Sequence, residues 1–198
     1  MSPIEPRDSA VQLDATALRV LAHPLRSRLL SALRKAGPAT ATDLAARLGT
    51  NSGATSYHLR KLESVGLVAD TEQGEGRRRL WRATTSSHRW RVSDFAGDED
   101  AETALNWLVR DYSRHLGENF ENWLDAEESW PLDWREALGL GDTTVTVTAE
   151  QLTQLKTELG ELLSRYRFLA EGDPQARTIA VYSVLFPRDV DAPPKTQK

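Results

Sequence analysis

The 198-residue chain has no cysteine and a single methionine. The missing thiols exclude a disulfide framework, a thiolate metal centre and a cysteine nucleophile. No apolar run approaches the roughly 18 residues of a membrane span, and the N-terminus (MSPIEPRDSA) lacks the apolar centre of a signal peptide. The chain is therefore expected in the cytoplasm, away from membranes. Also missing are a Walker or Rossmann glycine run, a nucleophile elbow and an H-E-x-x-H pair, so neither enzymatic activity nor a cofactor is expected. Adjacent acids such as Glu127 and Glu128 point apart on a helix and form no catalytic dyad.

What is present is the composition of an ordinary globular protein, 39% hydrophobic and 27% charged. A chain of this length buries roughly 70% of its unfolded surface and needs no metal to fold. Its net charge of −4 hides a division. Residues 1–91 carry 15 Lys/Arg against 8 Asp/Glu, and residues 92–198 carry 10 against 21, net +7 and net −11. A basic front and an acidic back fit a DNA-contacting domain followed by a domain for a partner or ligand. The acidic back repels DNA, so one face alone should approach a duplex.

Local signals divide the front into short helices. Residues 1–12 are polar, bear prolines and are expected to be disordered. Leu13, Ala17, Leu18 and Leu21 form a first helical stripe. Pro24 suits the first turn of a second helix, which carries Leu25, Leu29, Leu30 and Leu33 and stops near Gly37-Pro38. Thr40 with Asp43 is a capping pair for a third helix, ended by Gly49. A fourth, from about Asn51 to Val65, keeps Leu59, Leu62 and Val65 on one side. Leu67–Ala69 and Leu80–Ala83, around a turn at Gln73–Gly76, read as a β-hairpin.

Two short helices joined at Gly49-Thr50 and followed by a hairpin are the signature of a winged helix-turn-helix. The stretches LRVLAHPLRSRLLSAL and ATDLAARLGTNSGATSYHLRKLESVGLV, with a Gly/Arg-rich wing ending in LWRA, resemble the arsenic-repressor (ArsR) type of winged-helix transcriptional regulators over about residues 13–84. The resemblance implies that the helix from Asn51 is the recognition helix, with His58 near its buried side. Ser52, Ser56, Tyr57 and Arg60 lie away from the leucine stripe. Hydroxyls near a helix N-terminus let it sink into the major groove and bond base edges, while Arg60 and Lys61 suit phosphates. Gly53 allows close approach. In the wing, Arg77, Arg78 and Arg79 repel one another, a cost that phosphates or a narrow minor groove offset.

The back half reads as a long helix from Asp100 to about Ala126, an alternating strand at Thr143–Thr148, a helix capped by Thr148 and Gln151, and a strand at Arg177–Phe186. The expected fold is therefore mainly α with small β. Residues 13–91 are the DNA-binding domain, residues 92–187 a dimerisation and effector domain built on the long helix and a β-α-β unit, and residues 188–198 a flexible tail. Asp111, His115 and Glu118 share a helix face, but they read best as a solvated face paired with Arg114, and no metal site is assigned. Trp107, Tyr112, Trp123, Trp130 and Trp134 suit either a pocket for a small apolar or aromatic effector or a core and interface. The reading is a homodimeric, sequence-specific DNA-binding regulator, a repressor on a palindromic operator. Two alternatives stay open: a winged helix that docks a protein, and a constitutive regulator whose back half only dimerises.

Overall fold

Most helix starts in this chain are fixed by single side chains, and the computed structural model, which describes residues 10–74 and 78–194, shows how. Strand β1 (Ala10–Gln12) leads into α1 (Ala15–Leu21), where Asp14 Oδ1 accepts from Ala17 N–H at 2.7 Å. Helix α2 (Pro24–Ala36) opens on its proline, and His23 caps it, its Nδ1 accepting from Leu25 N–H at 3.1 Å. After β2 (Ala39–Thr40), α3 (Ala41–Leu48) begins with a full capping box between Thr40 and Asp43. Gly49 ends α3 at φ 63°, a left-handed conformation in which a Cβ would be strained. Helix α4 (Ser52–Glu63) follows after only three residues, and this tight connection makes the helix-turn-helix.

The wing is a three-stranded antiparallel sheet. Strand β4 (Leu80–Ala83) lies between β2 and β3 (Val68–Asp70), with Trp81 opposite both Ala39 and Asp70. Strand β5 (Ser87–Arg89) pairs with β1 in parallel, Val11 facing His88. Residues 10–12, read above as part of a disordered N-terminus, are thus held as a strand, and Leu13 N–H continues the ladder by donating to Arg89 O at 2.9 Å. Next come a 3₁₀ turn at Val92–Phe95 and the long helix α5 (Glu99–Ala126). A 3₁₀ turn at Glu127–Ser129, α6 (Leu132–Ala137) and α7 (Ala149–Tyr166) complete the regular elements.

The chain divides into two compact units, residues 1–121 and 122–198. In the first, leucines of α1 to α4 close on Trp81 and Phe95 in one core. Each fully buried leucine stabilises it by about 1.5–3 kcal/mol. The sequence boundary at residues 91/92 falls inside this unit, because Ala101 and Leu108 of α5 belong to the same core. Asp111 is also enclosed, only 2% exposed, against the solvated face expected for it. Its carboxylate accepts from Ser27 Oγ–H at 2.7 Å and from Arg114 Nη2–H at 3.1 Å, so a polar tie joins α5 to α2.

A second polar tie joins α2, β5 and α5. Arg34 donates to Thr85 O at 2.9 Å and to His88 Nδ1 at 2.7 Å, while His88 Nε2 lies 2.6 Å from Tyr112 Oη. Since a guanidinium only donates, His88 Nδ1 must accept and the ring proton sits on Nε2, donating to Tyr112. Burial, then Arg34, brings the His88 pKa down to about 4.

In the second unit α7 also begins with a capping box, Thr148 with Gln151, and turns Leu152, Leu155 and Leu159 to one half-buried stripe. No described residue of this unit is fully buried. The two strands expected at Thr143–Thr148 and Arg177–Phe186 are not formed, and with them the β-α-β unit. The cause is pairing. A helix satisfies its N–H and C=O groups internally, whereas an alternating segment becomes a strand only beside another. Mainly α with small β remains the description of the chain, the β structure lying in residues 10–89. No helix among the described residues is long and apolar enough to cross a membrane.

Candidate nucleic-acid interface

Helix α4 packs one side against the core and turns the other outward. Thr55, Leu59 and Leu62 are buried. Thr55 Oγ1–H donates back to Asn51 O at 2.9 Å, so its hydroxyl is spent within the helix. Ser52, Gly53, Arg60 and Lys61 are exposed, Ser56 is half-buried, and Tyr57 is 55% exposed with Lys61 Nζ 5.8 Å from its ring centre. Asn51 has a local task, since its Oδ1 caps α4 by accepting from Ala54 N–H at 2.8 Å. A Cβ on Gly53 would meet only that oxygen, at 3.4 Å, so the free protein has room for a side chain there.

The inner edge of α4 meets the start of α2. The rings of His58 and His23 stand 4.4 Å apart, and Tyr57 packs edge-on to His58. Both histidines have lowered pKa values, in each case mainly through burial. Arg26 adds to the shift at both, and His23 also acts on His58. A carboxylate would hold such rings charged; here burial and the Arg26 guanidinium favour the neutral form.

The wing arginines divide. Arg79 is engaged inward, its Nε 3.4 Å from Asp70 Oδ2, its Nη1 3.7 Å from Glu63 Oε2, and its guanidinium over the ring of Trp81 at 5.7 Å. It fastens the wing to the end of α4. Arg78 is exposed, with Asp43 near enough for its charge to be felt. Arg77 lies outside the described residues. At Gly74 a Cβ would collide with the Arg78 carbonyl, so no larger residue fits there.

Between the helix-turn-helix and the wing lies a cleft of about 240 Å³. Ser52, Ser56 and Arg60 of α4 form one wall, Thr42 of α3 another, and Arg78 and Trp81 close it. Sequence reading selected the α4 wall and Arg78 but missed Thr42 and Trp81. The capping pair at Thr40–Asp43 marked the start of α3, yet nothing in one dimension brings that start beside Ser52.

The five aromatic residues considered for an effector fall into two groups. Trp107 packs on the core of the first unit, and Tyr112 is tied to His88. Trp123, Trp130 and Trp134 belong to the second unit and stack edge-on in sequence, centroids 5.5 and 5.8 Å apart. Among the described residues no group of three His, Asp or Glu is placed to hold a metal ion.

Comparison with known proteins matches residues 21–71 to a family described as a helix-turn-helix domain. The chain is 41% identical over 73 residues to the HTH-type transcriptional regulator NmtR of Mycobacterium tuberculosis, a match over 36% of this chain and 60% of that protein. The chain thus spans about three fifths of the length of the curated relative it matches. Among solved structures, it is similar to the homodimeric winged helix-turn-helix DNA-binding domain of Mb0332 from Mycobacterium bovis, a possible ArsR-family transcriptional regulator. Identity there is 26% and the TM-score 0.33, over 52% of this chain and 82% of that one. Lactococcus lactis ZitR, solved in complex with DNA, is similar at 15% identity and TM-score 0.29 over 82% of each chain. Residues 21–71 thus match a helix-turn-helix family, and the tight α3–α4 turn with the three-stranded wing gives this part of the chain a winged helix-turn-helix form, similar to regulators of the ArsR type.

Proposed function

We propose that the chain is a sequence-specific DNA-binding transcriptional regulator, a repressor that binds a palindromic operator as a homodimer and leaves it when a small apolar or aromatic effector binds. The observation that carries this reading is the outward side of α4. Short hydroxyls stand at its N-terminal end, where base edges are reached, and Arg60 and Lys61 further along, where phosphates are. The net charge of +7 over residues 1–91 supplies the attraction to a polyanion. Dimerisation is supported by α5, whose stripe continues beyond Leu108 as Leu116, Phe120 and Trp123, each only half-covered in one chain. The stacked tryptophans are the groups suited to an apolar effector.

Selection of bound duplexes from a random pool, followed by salt titration of the winners, tests the reading. Enrichment of inverted half-sites about 10 base pairs apart, with affinity falling steeply in salt, is the expected result. A pool that emerges unenriched, with no salt-dependent binding, would favour a winged helix that docks a protein.

A further inference from the structure

The three tryptophans of the second unit are arranged in a way that an uncharged effector leaves half used. Trp123 stands in the last turn of α5, Trp130 directly after the 3₁₀ turn, and Trp134 in α6. Local hydrogen bonds hold the chain between them. Ser129 Oγ–H donates to Ala126 O at 2.7 Å, Trp130 N–H to Glu127 O at 3.0 Å, and Trp134 N–H to Pro131 O at 3.1 Å. Successive ring planes stand 78° and 71° apart. Each contact sets the positive edge of one indole on the negative face of its neighbour. All three residues are only half-buried, and so keep ring surface open to solvent. Two indole planes that meet nearly at right angles form a corner of negative potential, and a cation within about 6 Å of the ring centres is attracted to it.

The charge around the rings has the matching sign. Residues 122–142 carry six Asp/Glu and one Lys/Arg, net −5. The one base, Arg135, has its Nη2 4.0 Å from Glu127 Oε1. Asp125, Glu128, Asp133 and Glu136 are exposed and stand within three positions of a tryptophan. Such charges act over roughly 10 Å in dilute salt. A metal ion or a primary ammonium needs oxygen ligands or acceptors, which indole faces lack. A quaternary ammonium has no N–H to satisfy and offers alkyl groups to the rings. A second copy of the chain suits the rings less well, because a two-fold axis through them would set this acidic segment against itself.

We propose that Trp123, Trp130 and Trp134 form a seat for a quaternary ammonium compound, a ligand with an apolar body and a permanent positive charge, drawn in by the carboxylates around it. The inference deepens the reading of these rings as an effector site and rests on that reading for its regulatory role. Trp123 also ends the apolar stripe of α5, so an occupied seat bears on the helix that supports dimerisation.

The test uses the full chain and two probes of one shape, choline and its neutral carbon isostere 3,3-dimethylbutan-1-ol. Each is titrated at constant ionic strength while the indole N–H signals are followed. Choline should move the signals of Trp123, Trp130 and Trp134 saturably, with an affinity about tenfold above that of the isostere. Trp130→Leu should abolish this binding and Trp130→Phe weaken it, helicity being checked for both by circular dichroism. Glu128→Gln with Asp133→Asn should weaken choline and leave the isostere as before. Equal affinity for the two probes would overturn the cation seat and leave an apolar effector in place. No shift with either probe would remove both. Indole signals that move with protein concentration and not with choline would assign the rings to contact between copies, and so overturn the seat. Choline shifts with duplex affinity unchanged would keep the seat and remove its role as an effector site, while choline shifts in a chain that binds no duplex would keep the seat and remove the DNA reading.

Discussion

The two units of this molecule obey the same local rules and differ in what tertiary contact adds. Both contain a helix opened by a capping box, Thr40 with Asp43 in α3 and Thr148 with Gln151 in α7. In the first unit the helix then buries Leu44 and Ala45. In the second, α7 keeps Leu152, Leu155 and Leu159 only half-covered and Leu162 and Leu163 exposed, and the apolar side chains on either side stay open to solvent, Val181 60% and Phe186 76% exposed. A cap starts a helix anywhere, whereas a strand and a core require a second surface.

The widest contrast should appear in amide exchange. Core amides of α2 and α4 should exchange only on global unfolding, while those of residues 143–148 and 177–186 should exchange near the rate of an unstructured peptide. Strong protection across 177–186 would break the comparison and restore a paired strand there. Side-chain truncation follows. Leu59→Ala should destabilise the first unit by about 2–5 kcal/mol in denaturant titration, and Leu159→Ala in α7 by well under that.

Acidity should separate the units as well, because all four histidines (His23, His58, His88 and His115) lie in residues 1–121. Folding lowers the His88 pKa from 6.5 to about 4. Above pH 6.5 the ring is neutral in both states and its contribution is complete. As pH falls from 6.5 towards 4 the unfolded chain takes up a proton that the folded ring refuses, so stability declines, by about 3 kcal/mol in all, and then levels off. His88→Asn should flatten that part of the stability–pH curve. Smallest are the caps: Thr40→Ala and Thr148→Ala should each cost their helix about 1 kcal/mol. The first should appear in the melting of the core, the second only as lost helicity in circular dichroism.

The same contrast explains what one dimension reveals. Pro24, Gly37, Gly49 and the two capping boxes act within a few residues, so the helices could be read closely. The pairing of β1 with β5 joins three-residue strands 77 positions apart, and no local pattern announces it. Alternation in TTVTVT and RTIAVYSVLF states which side chains share a face but not what lies beside them. For the candidate interface, the outward side of α4 followed from its leucine spacing. The inward engagement of Arg79 did not, because Glu63 and Asp70 come from other elements. Asp111 was misjudged because its enclosure depends on a serine 84 positions away.

His23 gives α2 a conditional beginning. An imidazole lone pair, instead of a hydroxyl or carboxamide oxygen, receives the Leu25 N–H. Acid that occupies this lone pair removes the acceptor and at the same moment sets a cation on the positive pole of the helix. One proton therefore acts twice, and an asparagine in the same place would be indifferent to it.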